Sequence, residues 1–195
     1  MENIEIEIKL KLDNPEIVLR WLQENATLIK TSDQVDYYFN PPHKTFIYNA
    51  EDGTKDADEW FRIRVSENGN EICYKYWYRD EKTQKSLYAD EIETSIGDEK
   101  QILEILRRLG FKPTSTIRKH RESYRYKEFQ FDCDTVEELG YFVEIEFRGE
   151  LEDPTQGKQK IFDLLNEIGI TNWQKTKRGY SWIQWNPGKN HFDTD

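Results

Sequence analysis

The chain is poor in the residues that build small metal and redox sites: 195 residues hold two cysteines, three histidines and one methionine. Cys73 and Cys133 lie in separate strand-like runs, "EICYKYW" and "FQFDCDTV", and His43, His120 and His191 are scattered, so no zinc-ligand spacing exists. Both thiols are expected free and buried, and any metal must be held by oxygen. A basic excess is also missing. Lys and Arg number 28 against 38 Asp and Glu, a net charge of −10, which excludes a general nucleic-acid binder but not a local cationic grip on a small anion. No apolar run approaches the width of a bilayer and no signal-peptide apolar segment opens the chain, so a soluble, cytoplasmic protein without a membrane partner is expected. Internal repeats and low-complexity tracts are absent.

What is present is alternation. In "ENIEIEIKLKL" Glu5, Glu7 and Lys9 fall on one parity and Ile4, Ile6, Ile8 and Leu10 on the other. A strand sends successive side chains to opposite faces, so this one carries an ionic face and an apolar face. Strand-like runs follow at about 27–39, 59–66, 70–78, 87–96, 113–126, 127–135 and 140–149. "SENGNE", with Asn68, Gly69 and Asn70, reads as a hairpin turn. Residues 40–58 read as one long polar loop; its acidic run lacks EF-hand spacing and His43 is expected in solvent. Residues 1–186 read as one domain and 187–195 as a C-terminal tail.

Three segments have helical periodicity. "DNPEIVLRWLQEN" offers Asn14 as cap, Pro15 at the first helical position, and Ile17, Val18, Trp21 and Leu22 as a stripe. "GDEKQILEILRRLG" offers Asp98 as cap, a stripe of Ile102, Ile105, Leu106 and Leu109, and Gly110 as stop. "EDPTQGKQKIFDLLNEIG" repeats the device with Asp153, Pro154 and Gly169.

The ionic alternation recurs in later strands: Arg62 and Arg64, Lys75, Glu91 and Glu93, Lys119 and Arg121, Asp132 and Asp134, Glu144 and Glu146. If every charge faced solvent, the three helical stripes would have only an ionic sheet face to cover. If the apolar face lies under the helices, each stripe finds a partner, and acids and bases line the inside of a curled sheet. Buried charge is costly unless paired, hydrated or liganded. A lining of mixed sign suits a polyanion with a divalent cation, because carboxylates ligate Mg²⁺ or Mn²⁺ while Arg and Lys neutralise phosphate oxygens.

Glu5-Ile6-Glu7-Ile8-Lys9 resembles the N-terminal ExExK signature of CYTH proteins, the triphosphate tunnel metalloenzymes. It is followed in order by "DQVDYYFNPP", "DEWFRIR", "YKYW", "DEIET", "RKHRESYRY", "CDTVEELGYFVEIE" and "KTKRGYSW". "QVDYYFNPP" and "VEELGYFVEIE" look most like the class IV adenylyl cyclase branch. The resemblance implies an α+β fold, an antiparallel eight-stranded closed β-barrel with helices packed outside. It implies Glu5, Glu7, Glu144 and Glu146 as metal ligands, with Glu91 and Glu93 as further ones. Lys9, Arg62, Arg64, Lys75, Lys119 and Arg121 would grip the triphosphate. Lys9 and Asp134 are the catalytic candidates, and Asp132 is a lesser one.

Two departures stand out. The family's late Ser-Tyr pair is Gly179-Tyr180 here, and the strand after Lys75 lacks the expected glycine and proline. Trp77 and Tyr78 read there either as strand packing or as a base-stacking wall. The implied activity is conversion of ATP to cyclic AMP and pyrophosphate with Mg²⁺ or Mn²⁺. Hydrolysis of tripolyphosphate, thiamine triphosphate or a nucleotide is the alternative, and a non-catalytic binding module a third reading. A homodimer is compatible with all three.

Overall fold

The computed structural model describes residues 6–12, 14–79, 86–149, 155–169 and 173–192. In chain order the elements are β1 (Glu7–Lys11), α1 (Glu16–Asn25), β2 (Thr27–Asn40), β3 (Ile47–Asn49), β4 (Lys55–Ala57), β5 (Glu59–Ser66), β6 (Asn70–Arg79), β7 (Ser86–Ile96), α2 (Glu99–Arg108), β8 (Lys112–Tyr126), β9 (Phe129–Val136), β10 (Gly140–Phe147), α3 (Thr155–Glu167), β11 (Gln174–Thr176) and α4 (Tyr180–Trp185).

The expected closed eight-stranded barrel does not form. Nine strands make one antiparallel sheet in the order β11-β1-β10-β9-β8-β2-β5-β6-β7, and β3 and β4 form a separate hairpin. Closure requires the first and last strands of that order to pair. Among the described residues β7 pairs only with β6 and β11 only with β1, so the sheet has two edges. The long loop expected at 40–58 contains the β3–β4 hairpin. No described helix is long and apolar enough to cross a membrane.

The chain divides into two compact units. The second unit, Ile6–Ser32, Lys119–Gly179 and Asn190–Asp195, holds the main core. Ile8 and Leu10 of β1, Phe131 of β9 and Val143 and Ile145 of β10 are at most 3% exposed and join Val18 and Leu22 of α1 and Ile161, Leu164 and Leu165 of α3 in one cluster. Each such side chain contributes about 1.5–3 kcal/mol by leaving water. Trp21 sets its ring edge-on to Tyr126 at 4.9 Å. In this unit the apolar sheet face therefore lies under α1 and α3, and Glu7, Lys9, Glu144 and Glu146 take the opposite parity. α1 starts one residue later than expected, with Pro15 at the N-cap position, and Asn14 just before it accepts from Glu16 N at 3.0 Å. Asp153 and Pro154, read as the start of α3, lie outside the described residues.

The first unit, which includes Asp33–Arg118 and Tyr180–Lys189, is built on β5, β6 and β7. The β5–β6 hairpin turns where the sequence placed it; Gly69 has φ +124°, a conformation that costs a side chain dearly. Asp98 caps α2 by accepting from Gln101 N at 3.0 Å, and Leu106 is buried, whereas Ile105 and Leu109 of the same stripe stay exposed. α4 ties this unit together. Trp185 stacks on Trp60 at 5.4 Å and 9°, and its Nε1 donates to Thr114 O. Asn186, in what was read as the approach to a tail, accepts from Lys55 N at 2.8 Å and donates to Lys55 O at 2.9 Å, a side-chain replica of a strand pair.

Candidate active site

Register brings the second unit's ionic residues together. β1 pairs with β10 so that Glu7 faces Glu146 and Lys9 faces Glu144. Glu144 faces Asp132 across β10 and β9, and Arg121 faces Asp134 across β8 and β9. Directly paired residues share a face, so these side chains form one patch.

At its centre, Arg121 Nε and Nη2 donate to Asp134 Oδ1 and Oδ2, both at 2.6 Å, and Lys119 Nζ reaches Asp134 Oδ2 at 3.0 Å. Arg121 also donates to Asp132 at 2.6 Å and to Glu144 at 2.5 Å, and Lys9 Nζ meets Glu144 Oε1 at 2.8 Å. Burial opposes ionisation of Asp134 and Glu144. Arg121 and Lys119 outweigh it for Asp134, and Lys9 and Arg121 for Glu144, so both carboxyls lie below their ordinary range. Lys9, Lys119 and Arg121 thus balance Asp132, Asp134 and Glu144.

One step along the same face the balance fails. Glu7 and Glu146 are paired across strands, and among the described residues the half-exposed Arg148 bonds Glu146, at 2.7 Å. Burial, then the charges of Glu7 and Asp132, push the Glu146 carboxyl above its ordinary value despite Arg148. Carboxylates that repel one another in a half-buried patch are a donor set that fits a hard divalent cation. Glu5 lies outside the described residues.

The first unit carries a cluster of its own. Arg64 holds Asp36 in a fork, Nε to Oδ1 at 2.7 Å and Nη2 to Oδ2 at 2.8 Å, and Arg62 Nη2 donates to Glu71 at 2.6 Å. Lys75 pairs with Glu91 at 2.7 Å, and Cys73 Sγ donates to Glu91 Oε1 at 3.1 Å. Burial works against the Glu91 charge, but Lys75, the Cys73 thiol and Arg62 hold its pKa at about 2. Glu93 goes the other way, raised by burial and then by Glu71 and Glu91. Oxygens of Glu91 and Glu93 and the Cys73 sulfur lie within 4.8 Å of one another. Burial and Glu91 push the Cys73 thiol up to about 12, against the pull of Arg62, so the two carboxylates are the donors suited to Mg²⁺ or Mn²⁺ there.

Of the residues singled out from sequence, Glu7, Lys9, Lys119, Arg121, Asp134, Glu144 and Glu146 meet in one cluster, and Arg62, Arg64, Lys75, Glu91 and Glu93 in the other. Asp36 and Glu71 were missed. Asp36 is 1% exposed and serves Arg64; its only sequence signal is an acid inside the aromatic strand "QVDYYF". His120 is exposed on the opposite parity from Lys119 and Arg121.

Comparison with known proteins gives the arrangement a family. A Methanocaldococcus jannaschii protein provisionally named an adenylate cyclase is 31% identical over 180 residues, 91% of this chain and 96% of that one. A Pyrococcus horikoshii structure superposes with a TM-score of 0.68 at 30% identity, covering 92% of this chain and 97% of the other. A Hippeastrum protein whose structure is described as revealing a dominant triphosphatase activity shares the fold, with a TM-score of 0.63 at 21% identity over 92% and 94% of the two chains. The CYTH domain profile matches residues 3–180, and the chain belongs to the CYTH domain family.

Proposed function

We propose that this protein is a divalent-metal-dependent enzyme acting on triphosphates, and within that class a class IV-type adenylyl cyclase that converts ATP to cyclic AMP and pyrophosphate. CYTH proteins are in general divalent-metal dependent. The observation that carries the reading is the second unit's face, where the cross-strand carboxylates Glu7 and Glu146, with Arg148 on Glu146, lie one step along from the cations Lys9 and Arg121. A metal–triphosphate needs both partners side by side.

Glu7, Glu144 and Glu146 would hold the metal, with Glu5 in the same ligand set. Bound there, Mg²⁺ or Mn²⁺ supplies Lewis-acid stabilisation of charge on phosphate oxygens. In the free protein Glu144 occupies Lys9 and Arg121. A phosphate takes over those donors at comparable strength, because both exchange partners are charge-assisted. Lys119 and Arg121 are the proposed phosphate ligands of the second unit; in the first unit, taken by itself, Arg62, Arg64 and Lys75 are candidate phosphate ligands and Glu91 and Glu93 candidate carboxylate donors.

Lys9 is the catalytic cation of this scheme. Asp134 suits a positioning role better than proton abstraction: it is 1% exposed, accepts three N–H donors, and its acidity is enhanced. The side chains fix the phosphates, and the group held in line decides the product. A ribose 3′-hydroxyl at the α-phosphorus gives cyclic AMP. Water at the terminal phosphorus gives phosphate, and hydrolysis of tripolyphosphate, thiamine triphosphate or a nucleotide is the second reading, in keeping with the fold shared with the Hippeastrum protein.

Incubation with Mg²⁺ or Mn²⁺ and ATP, tripolyphosphate or thiamine triphosphate, followed by mass identification, separates these. Cyclic AMP with pyrophosphate is the expected result. Orthophosphate supports hydrolysis, and no product from any substrate removes both.

A further inference from the structure

We propose that Glu71 is a built-in competitor for the first unit's arginines: its carboxylate holds Arg62 and Arg64 until a phosphate displaces it, and so sets the affinity of that site for polyphosphate. This rests on the triphosphate reading above and adds to it a residue that regulates anion binding.

Register sets the competition up. Across β2 and β5 Asp36 faces Arg64, and across β5 and β6 Arg64 faces Glu71, so three strands put an arginine between two acids on one sheet face. Arg62 shares that face, two residues back along β5. The two arginines balance the two acids in charge, but the acids are held in different ways.

Asp36 is fixed. It accepts from Arg64 Nε and Nη2 on separate oxygens, at 2.7 and 2.8 Å, and its side chain is 1% exposed. Arg62 depends on it too: burial works against the Arg62 charge, and Asp36 is the strongest influence that restores it, ahead of Glu71. Pulling so short and buried a carboxylate out of a two-point fork would leave its charge unpaired away from water.

Glu71 is held more loosely. It uses Oε1 alone, accepting from Arg62 Nη2 at 2.6 Å and from Arg64 Nη1 at 3.4 Å, and its side chain is 29% exposed. The longer contact lies beyond the usual range of a hydrogen bond. Glu71 is the second residue of β6, beside the hairpin turn, and its long side chain can swing to water. Its charge also crowds another acid: after burial, Glu71 is what most raises the Glu93 carboxyl. Arg62 keeps a buried Nε with no bond among the described residues, whereas Asp36 fills the fork of Arg64. A phosphate brings several oxygens to the Nη groups that now share one oxygen of Glu71, each contact again charge-assisted. The exchange keeps both arginines neutralised and returns Glu71 to water.

The test is calorimetric binding, with Mg²⁺ present, of the bis-methylene analogue of tripolyphosphate, whose phosphate bridges resist cleavage. Glu71→Gln is expected to bind it about 10-fold more tightly, the difference between a charge-assisted and a neutral hydrogen bond. Glu71→Asp keeps the charge but falls one methylene short of Arg62, and it should also bind more tightly than the unaltered protein. Unchanged or weaker binding by Glu71→Gln overturns the proposal and leaves the triphosphate reading intact. Tightening in Glu71→Gln alone overturns it as well, because the general field of one negative charge then accounts for the gain. If the unaltered protein does not bind the analogue, both fall.

Discussion

Arg121 clamps Asp134 in a two-point fork, with both N–H···O distances at 2.6 Å and the Asp134 side chain wholly withdrawn from water. Lys119, itself 2% exposed in its side chain, completes the cluster. Removing the acid would take away two of Arg121's four carboxylate bonds and the Asp134 bond of the buried Lys119. Asp134→Ala should cost about 3–5 kcal/mol, as broken buried pairs do, read from urea unfolding. A loss as small as that of an exposed ion pair would mean that the cluster is hydrated and carries little stability.

The same carboxylates set the acid limit. Asp134 and Glu144 have folded pKa values below their unfolded ones, because buried cations overcome the penalty of burial. The unfolded chain therefore binds more protons as pH falls. Their contribution is complete above the unfolded value, 4.5 for Glu144, and disappears as pH drops through the folded values. Unfolding free energy measured at stepped pH should fall steeply below that point, and Glu144→Gln should flatten the slope.

Glu146 has the opposite sign. Its folded pKa is raised, first by burial and then by Glu7 and Asp132, so its ionised form strains the metal-free fold above pH 4.5. At neutral pH, Glu146→Gln should raise the thermal midpoint of the metal-free protein and erase the further rise that Mn²⁺ gives the unaltered one. A fall in the first, or an intact response to Mn²⁺, would count against a cation site at Glu7 and Glu146.

Cys73 and Cys133 should be silent thiols. Both are buried, Cys73 is pushed up to about 12 and Cys133 also upward, in each case first by burial. Reactivity needs thiolate and access. Iodoacetamide at pH 8 should label neither in the native protein and both in denaturant, by intact mass. Rapid native labelling of Cys73 would contradict the Glu91 contact.

Parity was the most legible property of the sequence. Alternation in "IEIEIKL" assigned Ile8 and Leu10 to the helix-covered side and Glu7 and Lys9 to the other, because a strand has one period and the helices supply the apolar partner. Asp98 and Gly110 marked the ends of α2 through capping chemistry that is local. Closure of the sheet was not legible, since whether β7 meets β11 depends on twist and stagger accumulated over nine strands. Asp36 went unread because one acid in an aromatic strand has no period, and Asn186 because its partner, the Lys55 backbone, lies 131 residues away. The carboxylate assignments came with the family motif; structure added which of them are neutralised and which are not.

The proposed function turns on the cross-strand carboxylates Glu7 and Glu146 beside Lys9, and its most direct test is metal rescue. Initial rates of triphosphate consumption should vanish in chelator, return with Mg²⁺ or Mn²⁺, and fail to return in Glu146→Ala at any metal concentration while that variant stays folded. Turnover that survives chelation, or a Glu146→Ala protein with the unaltered metal dependence, would contradict it.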